Sequence, residues 1–219
     1  MTKQVSVTLY SDVLCVWAYI SQVRVDEVRR HFADSVVVDY RFCSVFGDTA
    51  YKISQRWGDR GGFRAFGEHV RQVAEPFAHV RVHQDIWHRD PPASSMPAHL
   101  VLKAMQSVDR GKTESLLREI RRAFFEDCLD IGSWSVLESC ISAVGASVGA
   151  IRARLDDGRA HADLEADNRD RETLMVQGSP TLILNEGRQK LYGNVGYGVI
   201  EANINELLVA PDAGSASWC

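Results

Sequence analysis

Cys15 stands in "YSDVLCVWAYIS", residues 10–21, directly after a short β-prone run and directly before a helical pattern. A sulfur at such a junction lies over the unpaired N–H groups of a first helical turn, at the positive end of the helix dipole, which favours thiolate. Thiols so placed have pKa values of about 3.5–7.5 instead of about 8.5 and are nucleophilic at neutral pH. From position alone, an inert buried cysteine is an equally good reading. The second chemical feature is "VQGSPTLIL", residues 176–184, where Pro180 heads an apolar strand after Gly178 and Ser179. A proline there is either an ordinary strand start or a cis-proline. A cis Ser179–Pro180 bond would leave the Ser179 backbone able to pair with an extended peptide or a thiol ligand beside Cys15. Three residues after Cys15, where a dithiol site needs its second sulfur, the sequence has Ala18.

The elements around these residues follow from pattern. "VSVTLY", residues 5–10, predicts a strand, and Ile20, Val23, Val25, Val28 and Phe32 recur at helical intervals through residues 16–32. The Val, Tyr and Phe of residues 35–46 predict a second, largely buried strand that takes in Cys43. Residues 51–176 then read as amphipathic helices, with Ser133 as an N-cap, glycines 111, 132 and 145 at helix ends, and a Pro- and Ser-rich connection over residues 80–97. Strands over residues 180–185 and 188–192, joined by a turn at Glu186-Gly187, precede a helix over residues 199–208. This order predicts an α/β, thioredoxin-like fold with an inserted all-helical domain. The expected division is residues 1–50 and 177–209 for the thioredoxin-like part, 51–176 for the insertion and 210–219 for a tail.

The chain has 219 residues, 45% of them apolar, and a formal charge of −4 from 25 basic and 29 acidic side chains. That balance gives no reason to expect nucleic acid or an anionic membrane as partner. Arg118, Arg121 and Arg122 read as the solvated face of a helix. Cysteines 15, 43, 128, 140 and 219 form no C-x-x-C pair and no zinc-like spacing, so no disulfide framework is expected. No apolar run approaches the roughly 20 residues of a membrane span, and with Met1 as the start a cytoplasmic protein is expected. His79, His83 and His88 lack the helical spacing of a metal site, and no metal is expected. "SSMPAH", residues 94–99, offers polar groups that could reach over the thiol, with His99 as a cleft candidate; helix capping by Ser94 or Ser95 is the simpler reading. Cys128 and Cys140 fall within helical patterns and read as packing residues.

"SDVLCVWA" resembles the D-x-x-C-P-W-C signature of FrnE-type proteins, and "GSPTLIL" resembles their cis-proline segment. The chain is thereby similar to the DsbA-like thioredoxin superfamily, in particular the branch that also holds kappa-class glutathione transferases and 2-hydroxychromene-2-carboxylate isomerases. The resemblance makes Cys15 the nucleophile, Val16 and Trp17 the dipeptide, Ala18 the site of the missing second cysteine, and Pro180 the cis-proline. Val16, Trp17, Ser179 and Pro180 are then the expected substrate-binding residues. Isomerases of this branch usually carry serine where this chain has Cys15. Kappa-class relatives show a Gly-x-Asp-Arg-like element for the γ-glutamyl end of glutathione, whereas the corresponding "YGNVGYG", residues 192–198, lacks that acid–base pair.

Three functions are therefore expected, in order. The first is a monothiol oxidoreductase-like enzyme in which Cys15 attacks a disulfide or an electrophilic small molecule. A glutathione-dependent isomerase or transferase comes second, and a non-catalytic peptide-binding or chaperone-like protein third. No permanently bound cofactor is expected; glutathione or another low-molecular-weight thiol, a small-molecule or peptide substrate and a homodimer are what the resemblance implies. Cys219, on a Gly-, Ser- and Ala-rich tail, is the candidate resolving thiol.

Overall fold

The structure, a computed structural model, describes residues 4–210. Strand β1 (Val5–Ser11) alternates Val5, Val7 and Leu9 into the core and leads through a tight loop into helix α1 (Val16–Phe32). Strand β2 (Val36–Phe42) runs parallel to β1, Val5 opposite Val36 and Ser11 opposite Phe42. A right-handed crossover helix between parallel neighbours is the usual way to make such a pair.

The middle of the chain is helical: α2 (Thr49–Trp57), α3 (Gly62–Ala74), α4 (Met96–Val108), α5 (Thr113–Phe125), α6 (Trp134–Ala143), α7 (Val148–Asp156) and α8 (Arg159–Thr173). The chain then returns to the sheet in β3 (Thr181–Leu184) and β4 (Gln189–Tyr192) and ends on α9 (Tyr197–Val209). The strand order is β2-β1-β3-β4, with β3 antiparallel to both β1 and β4. The sheet is thus assembled from segments about 140 residues apart in the chain, and β1 sits at its centre. The expected tail beyond Ala210, with Cys219, lies outside the described residues.

Two glycines are required by geometry. Gly145 has φ +64° and ends α6 in a Schellman turn, with Gly145 N–H bonded to Ser142 O and Ala146 N–H to Ile141 O. Gly67 lets α3 lie directly on the connection before α4: a Cβ there would come within 2.1 Å of Ile86 O.

Local readings differ from the sequence expectation at three places. Strand β2 stops at Phe42, and Cys43 only continues it by one hydrogen bond, its N–H to Ser11 O at 3.2 Å. Helix α5 stops at Phe125, so Cys128 is not helical; it adopts φ +57° in the turn that reverses the chain and donates Sγ to Asp85 O at 3.3 Å. Arg121 is not on a solvated face. It is fully buried, because it falls on the same stripe of α5 as Leu117 and Phe124, four residues after one and three before the other.

The helical block is held to the sheet by a buried ion cluster. Asp167 of α8 is fully buried and accepts from Arg41 Nη1 at 2.7 Å, Lys103 Nζ of α4 at 3.0 Å and the Phe42 N–H at 3.0 Å. Removing Asp167 would leave buried Lys103 without a counter-charge, while Arg41 keeps Asp39 and Asp170, and breaking a buried pair in this way costs about 3–5 kcal/mol. Asp167→Ala is therefore expected to lower unfolding free energy by about that amount, measured by urea denaturation; a loss under about 1 kcal/mol would show the cluster to be dispensable.

Candidate functional site

Cys15 is the N-cap residue of α1, with an extended backbone (φ −80°, ψ 114°). Its N–H bonds to Asp12 O at 3.2 Å, closing the loop that leads from β1 into the helix. The loop can turn this tightly because Asp12 fixes it from inside. The Asp12 carboxylate is fully buried, takes the Leu14 N–H on Oδ1 at 2.8 Å, and takes the Phe46 N–H and the Ser95 hydroxyl on Oδ2 at 2.8 and 2.9 Å. One side chain thus joins the β1–α1 loop, the β2–α2 loop and the start of α4.

Opposite Cys15 lies the loop before β3. The Ser179–Pro180 peptide is cis, and Ser179 O accepts from Cys15 Sγ at 3.3 Å. Ser179 Oγ accepts the Asp12 N–H at 2.9 Å, so the two loops are stitched at both backbone and side chain. Pro180 is buried behind Ser179, and its carbonyl takes the Gly193 N–H at 2.9 Å.

Of the two readings of Cys15, burial favours the protonated thiol. Cys15 is only 7% exposed, and loss of solvent raises the thiol above its ordinary range. The Ser179 hydroxyl and the N–H groups of Ala18 and Trp17 pull in the other direction, and the Asp12 charge adds to the rise, but burial dominates. The side chain makes no capping bond to the α1 N–H groups; it points its S–H at Ser179 O instead. Alkylation by iodoacetamide, taken as the difference between wild type and Cys15→Ser, should therefore show a midpoint above the ordinary thiol value of about 8.5. A midpoint below 7 would restore the thiolate.

Among the other expected site residues, Trp17 stays exposed at 36% and packs edge-on against Phe77, ring centroids 6.3 Å apart, making the open wall beside the thiol. Val16 does not share that position: it is buried in the core, so it offers substrate no face. Ala18 is fully buried, and Cys43, Cys128 and Cys140 are buried too. His79 turns Nε2 to Ile20 O at 2.9 Å, and His83 Nδ1 takes the Asp85 N–H at 3.1 Å.

His99 does reach the Cys15 loop. It is fully buried, stacks on Phe42, and its Nε2 accepts the Val13 N–H at 3.2 Å, 3.8 Å from Asp12 Oδ1. Burial holds its pKa below the ordinary value against the pull of Asp12 and Asp167, so the ring is neutral with its proton on Nδ1. Ser95 spends its hydroxyl on Asp12, and Ser94 Oγ takes the Met96 N–H at 3.1 Å. Because the unfolded histidine takes up a proton near pH 6.5 and the folded one resists, stability falls as pH drops below about 6.5, by up to about 1.4 kcal/mol per pH unit. Urea denaturation at about pH 7 and about pH 5.5 should show a shallower loss in His99→Gln than in wild type; equal slopes would remove His99 from the acid response.

Sequence reasoning missed two groups here. Asp12 was visible only as a letter of a motif, although a buried acid just before the thiol loop is what orders it. Arg121 brings a guanidinium under the same loop, bonding Gln22 Oε1 at 2.7 Å and Ser11 Oγ at 3.2 Å. Burial lowers its pKa to about 10, while the negative charge available at Tyr40, Cys15 and Asp12 opposes that fall, so it remains a cation at neutral pH.

A family model of the DSBA-like thioredoxin domain matches residues 6–205. The chain belongs to that family. Comparison with curated proteins finds no match. Among solved structures, a probable DsbA oxidoreductase from Streptomyces coelicolor is similar at TM-score 0.75 and 19% identity, over 94% of this chain and 91% of that one. The cytosolic disulfide reductase DsbM from Pseudomonas aeruginosa with GSH is similar at TM-score 0.65 and 18% identity, over 93% and 96%. A 2-hydroxychromene-2-carboxylate isomerase is similar at TM-score 0.63 and 14% identity, over 92% and 95%. At these identities the likeness is one of fold, and this DsbA-like chain carries the helical insertion that the fold class expects. Among the described residues no helix is long and apolar enough to cross a membrane.

Proposed function

We propose that this DsbA-like protein is a monothiol enzyme of thiol–disulfide exchange, acting on a disulfide of a low-molecular-weight thiol such as glutathione or of a peptide. The observation that carries the reading is Cys15 Sγ at the head of α1, 3.3 Å from Ser179 O on a cis X-Pro bond. In the reaction the Cys15 S–H first gives its proton to solvent, the thiolate then attacks one sulfur of the substrate disulfide, a new S–S bond forms at Cys15 as the old one breaks, and the other half leaves as thiolate and is protonated in turn. Release uses a second thiol, in this reading an external one with Cys219 as the other candidate, which attacks the mixed disulfide, returns Cys15 as thiolate and leaves as the new disulfide. Residue 18 supplies no thiol for that step, and Cys43, Cys128 and Cys140 are buried. Exchange with a pool of small thiols would suit a reducing compartment such as the cytoplasm.

One observation favours a second reading. A buried thiol kept protonated and directed at Ser179 O can serve as an S–H donor, the part that a serine plays in a glutathione-dependent isomerase. There a bound glutathione would supply the reacting sulfur, and Cys15 would orient it beside Trp17 and the Ser179 backbone.

Exposure to oxidised glutathione followed by intact-mass analysis separates the two. Exchange predicts one glutathione adduct per chain in wild type and none in Cys15→Ser, removed by added thiol. Equal adducts in both proteins would sink it. Isomerase-type use predicts that reduced glutathione binds equally well to wild type and Cys15→Ser by calorimetry, with no adduct; absence of heat at millimolar glutathione would remove that reading.

A further inference from the structure

A cavity of about 360 Å³ lies where α2 meets α3, lined by Lys52, Arg56, Arg60 and His69. Its remaining wall is mainly aromatic, from Phe46, Trp57 and Phe66. Trp57 lies 5.0 Å from the His69 ring and 5.8 Å from Phe66, and Phe46 lies 6.0 Å from Phe66, so the rings form one continuous cluster. The volume falls in the range of small-molecule sites.

The charge at this place is unlike the rest of the molecule. The chain as a whole carries −4, yet no acidic residue lines this cavity. Two other cavities pair several of their cations. The one between α1 and α5 sets Arg118 and Arg122 against Asp26 and Glu119, and the one beside β2 sets Arg110 against Asp39. In the α2–α3 cavity none of Lys52, Arg56 or Arg60 is in an ion pair among the described residues, and Glu68 of α3 pairs with Arg64 instead. Three exposed cations outside any ion pair share this lining with the aromatic rings, and together they match the higher charge and three oxygens of a phosphate better than the single charge of a carboxylate.

From this juxtaposition we propose that the α2–α3 cavity binds a planar aromatic molecule carrying a phosphate, its ring against Trp57 and Phe66 and its phosphate among Lys52, Arg56 and Arg60. The site is distinct from the thiol. It is nevertheless joined to the thiol loop, because Phe46 lines the cavity and gives its N–H to Asp12 Oδ2 at 2.8 Å. Ring stacking supplies selectivity over inorganic phosphate, and the exposed cations supply attraction that salt weakens.

Calorimetry of the full-length chain tests this with naphthyl phosphate, naphthoate, naphthol and inorganic phosphate. Naphthyl phosphate is expected to bind saturably, with affinity falling about tenfold in the Arg56→Gln/Arg60→Gln variant and on raising salt from about 0.02 to about 0.15 M. Trp57→Leu should weaken naphthyl phosphate and leave inorganic phosphate unchanged. No saturable binding, or binding indifferent to the arginines, overturns the site. Equal affinity for inorganic phosphate or naphthol overturns the aromatic or the anionic half, and equal affinity for naphthoate overturns the assignment of phosphate. Cys15→Ser is expected to bind the probe like wild type, so failure here and failure of the thiol chemistry are told apart.

Discussion

The buried carboxylate of Asp12 is the constraint on which the site depends. A carboxyl group at that depth needs partners for its oxygens, and two backbone N–H groups and the Ser95 hydroxyl supply them. Each of those donors comes from a different part of the chain. The β1–α1 loop, the β2–α2 loop and the first turn of α4 are therefore held at one point, where the sheet meets the helical block. Cys15 inherits its position from this arrangement, since its own N–H closes on Asp12 O and its sulfur faces a loop whose Ser179 hydroxyl caps the Asp12 N–H.

Such tight closure has a chemical consequence. The helix N-terminus favours thiolate, but its effect is felt only through the few N–H groups that reach the sulfur, whereas burial acts on the whole charge. At 7% exposure burial prevails, and the S–H turns to Ser179 O. Arg121 is the nearest device in the fold for reversing this, a cation that stays charged in the interior and reaches the end of β1 through Ser11. The charges of Asp12 and Arg121 thus act on the sulfur in opposite directions.

Much of this was legible in the sequence because it is local. The strand–loop–helix around Cys15 follows from β-branched residues giving way to a 3.6-residue period, and α1 spans Val16–Phe32 as that period requires. The return of Val, Ile and Leu after residue 180 identifies the second half of the sheet for the same reason. What escaped is made by partners far apart in the chain. Asp167 bonds Arg41 and the Phe42 N–H across about 125 residues, and no periodicity encodes that meeting. Arg121 was misjudged because its type outweighed its position: Leu117, Ile120 and Phe124 define a stripe that includes residue 121, and a charge on such a stripe is buried when a polar socket exists. Cys128 was misplaced because the pattern of α5 continues past the turn that ends the helix.

The loop between β2 and α2 connects the two chemical regions and does so rigidly. Cys43 N–H continues the sheet to Ser11 O, Phe46 N–H reaches Asp12, Phe46 O takes the Ser95 N–H at 3.0 Å, and Thr49 N–H bonds Ala93 O at 3.1 Å. Four hydrogen bonds at three of its residues tie the segment to the thiol loop and to the start of α4. It can fix a distance. The proposed ligand of the aromatic and cationic cavity would sit beside the loop that bonds Asp12, at a place separate from the sulfur.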